Sequence, residues 1–183
     1  APASATPFTA SYTVLVNSVD PGLVMQTNHG PGSPGSFTNV PVVVNGGPTL
    51  LTGLFKLWTN ETTVNSDDEV AKPISVNFAF TSPSIFGGTD TGTTDGIREL
   101  YGLIQYGTVH WNDPVKFETG FGTVTVNLFD AKFNKGLFGL SDGSRKGAYI
   151  DGKISAVPEP ASLGIAAIGL LAAGAAARRR RQV

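Results

Sequence analysis

Residues Ile74-Ser75-Val76-Asn77-Phe78-Ala79-Phe80-Thr81 place a large apolar side chain at every second position. Successive side chains of an extended strand point to opposite faces of a sheet, so this period of two predicts a strand with one buried face. The same alternation recurs over residues 124–128 and 148–154. Further strands are predicted over residues 8–16, 40–44, 50–58 and 100–111.

Turn-forming pairs separate these segments, among them Pro31-Gly32, Gly46-Gly47 and Asp142-Gly143. The chain has 23 glycines and 12 prolines and only 15% charged residues, a composition typical of a turn-rich β protein. We therefore predict an all-β domain over residues 1–156, an antiparallel β-sandwich or jelly roll. Residues 28–39 and 82–95 are rich in Gly, Ser, Thr and Pro, and we predict that they form long loops.

Composition and charge exclude several classes of function. With no cysteine, the chain has no disulfide framework, thiolate metal site or cysteine nucleophile. The chain has 13 basic and 14 acidic residues, and four arginines and one glutamate of these follow residue 157. Residues 1–157 therefore contain 9 basic and 13 acidic residues, a net charge of −4. Such a domain has no basic surface for nucleic acid. The N-terminal Ala-Pro-Ala-Ser-Ala looks like the region after a signal-peptidase site, so we expect export.

The C-terminal tail predicts a single membrane span. Residues 161–177 carry no charge, and as a helix they would be about 25 Å long, slightly short of a hydrocarbon core of about 30 Å. The C-terminal tail, residues 178–183, contains the four arginines Arg178, Arg179, Arg180 and Arg181. Arginines resist translocation, so we predict that the C-terminus lies in the cytoplasm and residues 1–156 lie outside it. The prolines of residues 157–160 mark the junction between domain and span.

Small residues recur along the predicted span, notably Gly164, Gly169 and Gly174. Small residues let helix backbones approach closely in lipid, so the span could pack against other membrane helices. Sorting tails are also rich in Ala, Gly and Leu whatever they contact, and the sequence leaves both interpretations open.

The C-terminal region contains Val157-Pro158-Glu159-Pro160, then the apolar span and then the arginine cluster. In this order, the three parts resemble the PEP-CTERM sorting signal of Gram-negative bacteria. The resemblance implies export, recognition near the Pro-Glu-Pro motif by an exosortase, and a role at the cell surface or in the extracellular matrix. The upstream domain also resembles the β-sandwich domains that precede such tails, around Trp111-Asn112-Asp113-Pro114 and residues 124–130.

Few residues suggest chemistry. The two histidines, His29 and His110, are expected at the surface or in turns, and no Gly-x-Ser-x-Gly elbow or phosphate-binding loop is present. Carboxylates that could form a glycosidase pair are Glu99, Asp113 and Glu118, but nothing in the sequence distinguishes them from solvated surface groups.

The densest acidic run contains Asp67, Asp68 and Glu69. Its hard oxygen ligands suit Ca²⁺, although the run lacks the ligand spacing and glycine of an EF-hand loop. A solvated acidic loop is the alternative. Trp58 shares strand parity with Leu50 and Leu54, which predicts a core position rather than a sugar-binding platform.

We expect a non-enzymatic structural or interaction protein, anchored in a membrane with its domain outside. In this interpretation it is an accessory subunit that stabilises a larger membrane complex, and its partners are lipid and other membrane-protein subunits. The alternative is a cell-surface or extracellular-matrix protein that is processed by an exosortase, with association with glycans as a further hypothesis. A secreted hydrolase is a third hypothesis.

Overall fold

The computed structural model describes residues 5–159, and every structural statement below concerns this part of the chain. The predicted span over 161–177 lies outside it, together with Pro160, the three small-residue positions Gly164, Gly169 and Gly174, and the arginine cluster. No helix within residues 5–159 is long and apolar enough to cross a membrane.

Eleven strands and one short 3₁₀ helix, Ser144–Lys146, make up the described domain. The strands are β1 (Ala5–Leu15), β2 (Met25–Thr27), β3 (Gly35–Val43), β4 (Thr49–Thr59), β5 (Lys72–Ser82), β6 (Phe86–Glu99), β7 (Ile104–Trp111), β8 (Val115–Thr119), β9 (Gly122–Leu128), β10 (Ala131–Leu137) and β11 (Ala148–Val157). A six-stranded sheet A has the order β10-β7-β6-β5-β1-β3, and a five-stranded sheet B has the order β2-β4-β11-β9-β8. All strand pairs are antiparallel, which confirms the predicted all-β fold.

The core is one apolar cluster that draws side chains from both sheets. Phe80 of sheet A stacks on Phe86 with a centroid distance of 4.4 Å, and Phe117 of sheet B packs edge-on against Phe80 at 5.5 Å. Tyr12 is 3% exposed, and its hydroxyl donates a hydrogen bond to the carbonyl of Leu54 on the facing sheet. Burial raises the pKa of Tyr12 to about 12, so this donor keeps its proton at physiological pH.

The predicted loop over 28–39 is wrong from residue 35 onward, where β3 begins. The predicted loop over 82–95 is wrong except at residues 83–85, because β5 ends at residue 82 and β6 begins at residue 86. The glycines of β6 were misleading because they serve close packing instead of turns. A Cβ at Gly92 would lie 2.4 Å from the carbonyl oxygen of His110, and one at Gly88 would lie 2.8 Å from the ring of Phe117. Glycine in a strand interior often marks such a close approach, and the intervening threonines favour extended backbone.

The predicted core position of Trp58 is also wrong, because the core-facing side chains of β4 have the other parity. Leu51, Leu57 and Thr59 are buried, whereas Leu50, which we expected inside, is 59% exposed. A bulge between the pairs Ile150–Phe55 and Gly152–Leu51 adds two residues to β4, so Leu51 and Phe55 face the same side, and Leu54 is buried within the bulge. Trp58 is only partly buried.

Replacing Gly107 with Ala should destabilise the domain. The added Cβ would lie 2.0 Å from the ring of Phe133, which is buried in the core. Overpacking of this kind costs about 1–3 kcal/mol, measurable by chemical denaturation. Gly120→Ala is the matched control, because nothing lies within 4 Å of its added Cβ, and its effect should stay within about 0.5 kcal/mol. Equal effects of the two substitutions would contradict the packing described for β7.

Asp90→Asn should change how stability depends on pH. Asp90 is 2% exposed with its Oδ2 unpartnered, and burial raises its pKa from 3.8 to about 6. The folded state therefore holds this proton more tightly than the unfolded state, so the contribution of Asp90 to stability falls as pH rises from 4 to 6. The unfolding free energy of the variant, relative to wild type, should rise by up to about 3 kcal/mol between pH 4 and 7. A difference that is constant with pH would contradict this.

Candidate functional site

The sorting motif is joined directly to the folded domain. Val157 is the last residue of β11 and pairs with Thr123 of β9, so the sheet continues into the first residue of the motif. Gly122 has a positive φ of 132°, and a Cβ there would lie 2.1 Å from the carbonyl oxygen of Val157. Glycine is thus required where β9 begins beside the motif. Pro158 and Glu159 follow at once and are exposed.

The two ends of the sandwich differ in chemistry. β11 finishes at Val157, and a bridge between Val44 and Ala156 brings the end of β3 to the same end, which we call the tail end. β3, β1, β5 and β6 pair in this order, and each pair is antiparallel. β6 therefore begins at the tail end with Phe86 and ends with Glu99 at the opposite end, which we call the far end. A strand of 14 residues spans roughly 45 Å, so the far end lies well away from the motif.

An acidic cluster occupies the far end. One carboxylate oxygen from each of Asp20, Asp67 and Asp68 lies within 4.8 Å of those of the other two. The Gly22 N–H donates to Asp67 Oδ2 at 3.2 Å, and the Asn65 N–H donates to Asp68 Oδ2 at 2.8 Å. Two loops, before β2 and before β5, are thereby held together. Sequence reasoning missed Asp20, since nothing local connects it with residues 67 and 68.

A cleft of about 470 Å³ opens beside the acidic cluster, and Asp20, Glu61 and Asn65 contribute to its lining. Glu61 Oε1 accepts a hydrogen bond of 2.8 Å from the Val24 N–H. Burial raises the pKa of Glu61 to about 7, and the negative charges of Asp68 and Asp20 act in the same direction. Four carboxyl groups thus converge at one place, a concentration of like charge that favours protons or a cation.

Glu69, which the sequence grouped with Asp67 and Asp68, faces a different partner. Its two carboxylate oxygens accept hydrogen bonds from Arg98 Nε and Nη2 at 2.7 and 2.9 Å. This bidentate pairing with the Arg98 guanidinium lowers the pKa of Glu69. Glu69 therefore belongs to an ion pair on β6 and not to the acidic cluster, in which Asp20 takes the third place.

A hydroxyl and an imidazole on β7 line up with a carboxylate that immediately precedes β10. The Thr108 hydroxyl lies 3.2 Å from His110 Nε2, and His110 Nδ1 lies 2.9 Å from Asp130 Oδ2. Burial alone would raise the pKa of Asp130, but hydrogen bonds from the Trp111 N–H and from His110 shift it downward overall. The order of groups is that of a nucleophilic site, yet Thr108 is only 4% exposed. Asp130 bridges two residues of β7 and so fixes the start of β10.

An apolar patch also lies at the far end. Its members come from the β6–β7 turn and from the end of β10. A hydrogen bond of 2.7 Å from the Phe138 N–H to the carbonyl of Leu103 joins these two segments. Tyr101 is fully exposed and Phe138 is 83% exposed. Leu100, Tyr101 and Phe138 all have positive φ, between 51° and 59°, which is strained for such side chains. We define the apolar patch as Leu100, Tyr101, Leu103, Leu137 and Phe138.

The remaining predicted residues do not form a common site. Glu99 lies at the far end and accepts a 2.5 Å bond from the Tyr106 hydroxyl, whereas Glu118 on β8 accepts one of 2.8 Å from Thr123. Asp113 is exposed in the connection after β7. The three carboxylates are thus dispersed. His29 packs edge-on against Tyr12 at 5.8 Å, in the loop before β3.

Comparison with known proteins adds one finding. Residues 156–181 match the family described as the PEP-CTERM protein-sorting motif. Neither a curated protein nor a solved structure matches the chain. The match begins at Ala156, within β11, and extends through the arginine cluster. The chain therefore carries a PEP-CTERM protein-sorting motif, preceded by a β-rich domain.

Proposed function

We propose that this chain is an exported, non-enzymatic surface protein whose β-sandwich is displayed by its sorting tail and binds other macromolecules at its far end. The observation that carries the proposal is the placement of the motif. It follows β11 without a spacer, and the acidic cluster and the apolar patch lie at the opposite end of the sandwich. A domain arranged in this way presents its far end outward.

In this proposal the tail acts in two stages. Residues 161–177 first hold the chain in the membrane, with the arginines in the cytoplasm and the domain on the outer side. An exosortase then recognises the region of Pro158-Glu159-Pro160 and cuts, and the domain passes to the cell surface or matrix. Pro158 and Glu159 are exposed beside the sheet, which leaves the motif open to an enzyme.

The apolar patch supports protein binding at the far end. Monomeric proteins seldom hold bulky apolar side chains in left-handed backbone at full exposure, and such strain is concentrated at functional sites. The Glu69–Arg98 ion pair lies beside the patch and borders a shallow cleft with Tyr101. An apolar centre with a charged rim is typical of protein–protein interfaces. We therefore propose an apolar protein surface as the partner of the patch.

The non-enzymatic part of the proposal rests on the dispersal of the candidate carboxylates and on the burial of the candidate nucleophile. The carboxylates Glu99, Asp113 and Glu118 are separated, which leaves no glycosidase pair among them. The Thr108 hydroxyl in the His110 cluster is buried, so a substrate carbonyl has little access to it. We assign that cluster to holding β7 against β10.

Mass spectrometry of the native C-terminus tests the two-stage tail. We expect the mature protein in the native host to end near Pro160, in the cell-surface or medium fraction. Glu159→Ala should leave an uncut chain in the membrane fraction, because the enzyme loses its recognition residue. A wild-type chain that keeps Arg178 to Arg181 would contradict processing. It would instead support the accessory-subunit hypothesis, in which the tail stays as a permanent anchor.

The far-end contact is tested by Tyr101→Gly combined with Phe138→Gly in the full chain. Glycine tolerates positive φ, so folding should be preserved or slightly improved while the apolar contact area is lost. Cross-linking in the native host, followed by purification, should recover a stoichiometric partner with wild type and at least about ten-fold less with the variant. Leu50→Ser, an exposed apolar position at the tail end, is the control. The proposal would be contradicted if Leu50→Ser, and not the double variant, lost the cross-linked partner, or if wild type recovered no partner.

A further inference from the structure

We propose that Asp20, Asp67 and Asp68 bind a hard divalent cation of the Ca²⁺ class at the far end of the sandwich. Oxygen ligands of Ca²⁺ lie about 2.4 Å from the ion, so two of them are at most about 4.8 Å apart. One oxygen from each of the three aspartates meets this limit against the other two. The side chains therefore lie close enough together to share one ion.

A second observation comes from the burial of Asp68. This residue is 0% exposed, and its Oδ1 has no hydrogen-bond partner, whereas its Oδ2 accepts the Asn65 N–H. An unpartnered carboxylate oxygen in the interior is costly, because it has lost water and gained nothing in exchange. A cation bound between Asp68 and its neighbours supplies the missing interaction.

The surrounding charge is mainly negative, because the Arg98 guanidinium is paired with Glu69 and acts on Asp68 only from beyond 4.0 Å. Among the carboxylates of residues 5–159, Glu69 has a cationic partner within 4.0 Å and Asp130 has a histidine partner within that distance. The three aspartates of the acidic cluster have no such partner. Glu61 adds a fourth carboxyl group close enough to interact with Asp68 and Asp20. Two positive charges placed among these groups relieve their mutual repulsion.

An ion can reach this position from solvent. Asp20 is exposed, and together with Glu61 and Asn65 it lines the far-end cleft of about 470 Å³. The gradient from exposed Asp20 to buried Asp68 supplies protein ligands on the inner side and leaves room for water ligands on the cleft side. Ca²⁺ accepts six to eight oxygen ligands, so such mixed coordination suits it.

The ligand chemistry favours Ca²⁺ over other metals. All of the converging atoms are carboxylate oxygens, and the chain has no cysteine. His29 contacts Tyr12, and His110 contacts Asp130, so neither imidazole belongs to the cluster. Zn²⁺ and Cu²⁺ prefer nitrogen and sulfur ligands, and Mg²⁺ demands a stricter octahedron at shorter distances.

The bound ion would also have a structural consequence. Asp20 precedes β2, whereas Asp67 and Asp68 precede β5. Two hydrogen bonds span these loops, from the Gly22 N–H to Asp67 Oδ2 at 3.2 Å and from the Val24 N–H to Glu61 Oε1 at 2.8 Å. A shared cation crosslinks the two loops more firmly. It therefore shapes the cleft between them. This inference is independent of sorting, because it concerns only the folded domain.

Calorimetric titration of the chelator-treated full chain with CaCl₂, at constant ionic strength, tests the site. We expect one site per chain with a Kd on the order of 10⁻⁴–10⁻³ M, the range of extracellular Ca²⁺ modules. Asp20→Asn, at the exposed mouth, should weaken binding at least about ten-fold without affecting folding. Asp113→Asn, an exposed carboxylate outside the cluster, should leave the Kd unchanged.

Thermal melts of Asp68→Asn provide a second measurement. With chelator present this variant should melt at or above the wild-type temperature, because an unpaired buried charge has been removed. It should lose the rise in Tm that Ca²⁺ gives wild type. The proposal is overturned if wild type shows no saturable binding up to about 10 mM, if Asp20→Asn binds as wild type does, or if MgCl₂ reproduces the titration equally well.

Discussion

The packing of aromatic rings between the two sheets is the constraint on which the rest of the structure depends. Phe8 contacts Phe80, Phe86 and Phe121 at 6.1–6.5 Å, and Phe117 completes the cluster from sheet B. These rings lie toward the tail end, so they fix how the sheets are stacked where the sorting motif leaves the domain. The far end, by contrast, is built from loops held by hydrogen bonds to backbone groups and by charge.

This division explains the distribution of candidate sites. Aromatic packing makes one end rigid and chemically uniform, whereas the far end tolerates an unpartnered aspartate, a strained apolar turn and an exposed ion pair. The unpartnered aspartate and the strained turn each cost stability. Neither lies at the motif junction, although Asp90, in the half of β6 nearer the tail end, has a further unpartnered carboxylate oxygen. Sites of binding are commonly built on loops carried by a rigid scaffold.

The sequence predicted the fold where side chains alternate without interruption. Residues 74–81 lie within β5, and residues 124–128 and 148–154 lie within β9 and β11. It failed at β6, where glycines make room for facing side chains, and at β4, where Leu54 is buried within a bulge although the core-facing side chains of the strand have the opposite parity. Both features depend on neighbouring strands that no local pattern reveals. For the same reason, the acidic run indicated Asp67 and Asp68 but could not identify Asp20, which only the folded chain brings to them.

The position of β11 sets the order in which the molecule can be assembled. It is the last strand within residues 5–159, yet it lies between β4 and β9 in the middle of sheet B. Until residues 148–157 are available, sheet B consists of two separate fragments, β2–β4 and β8–β9. A chain that emerges from its N-terminus can therefore close its core only when the segment bordering the sorting motif has also emerged. The strand that completes sheet B thus also leads directly into the motif.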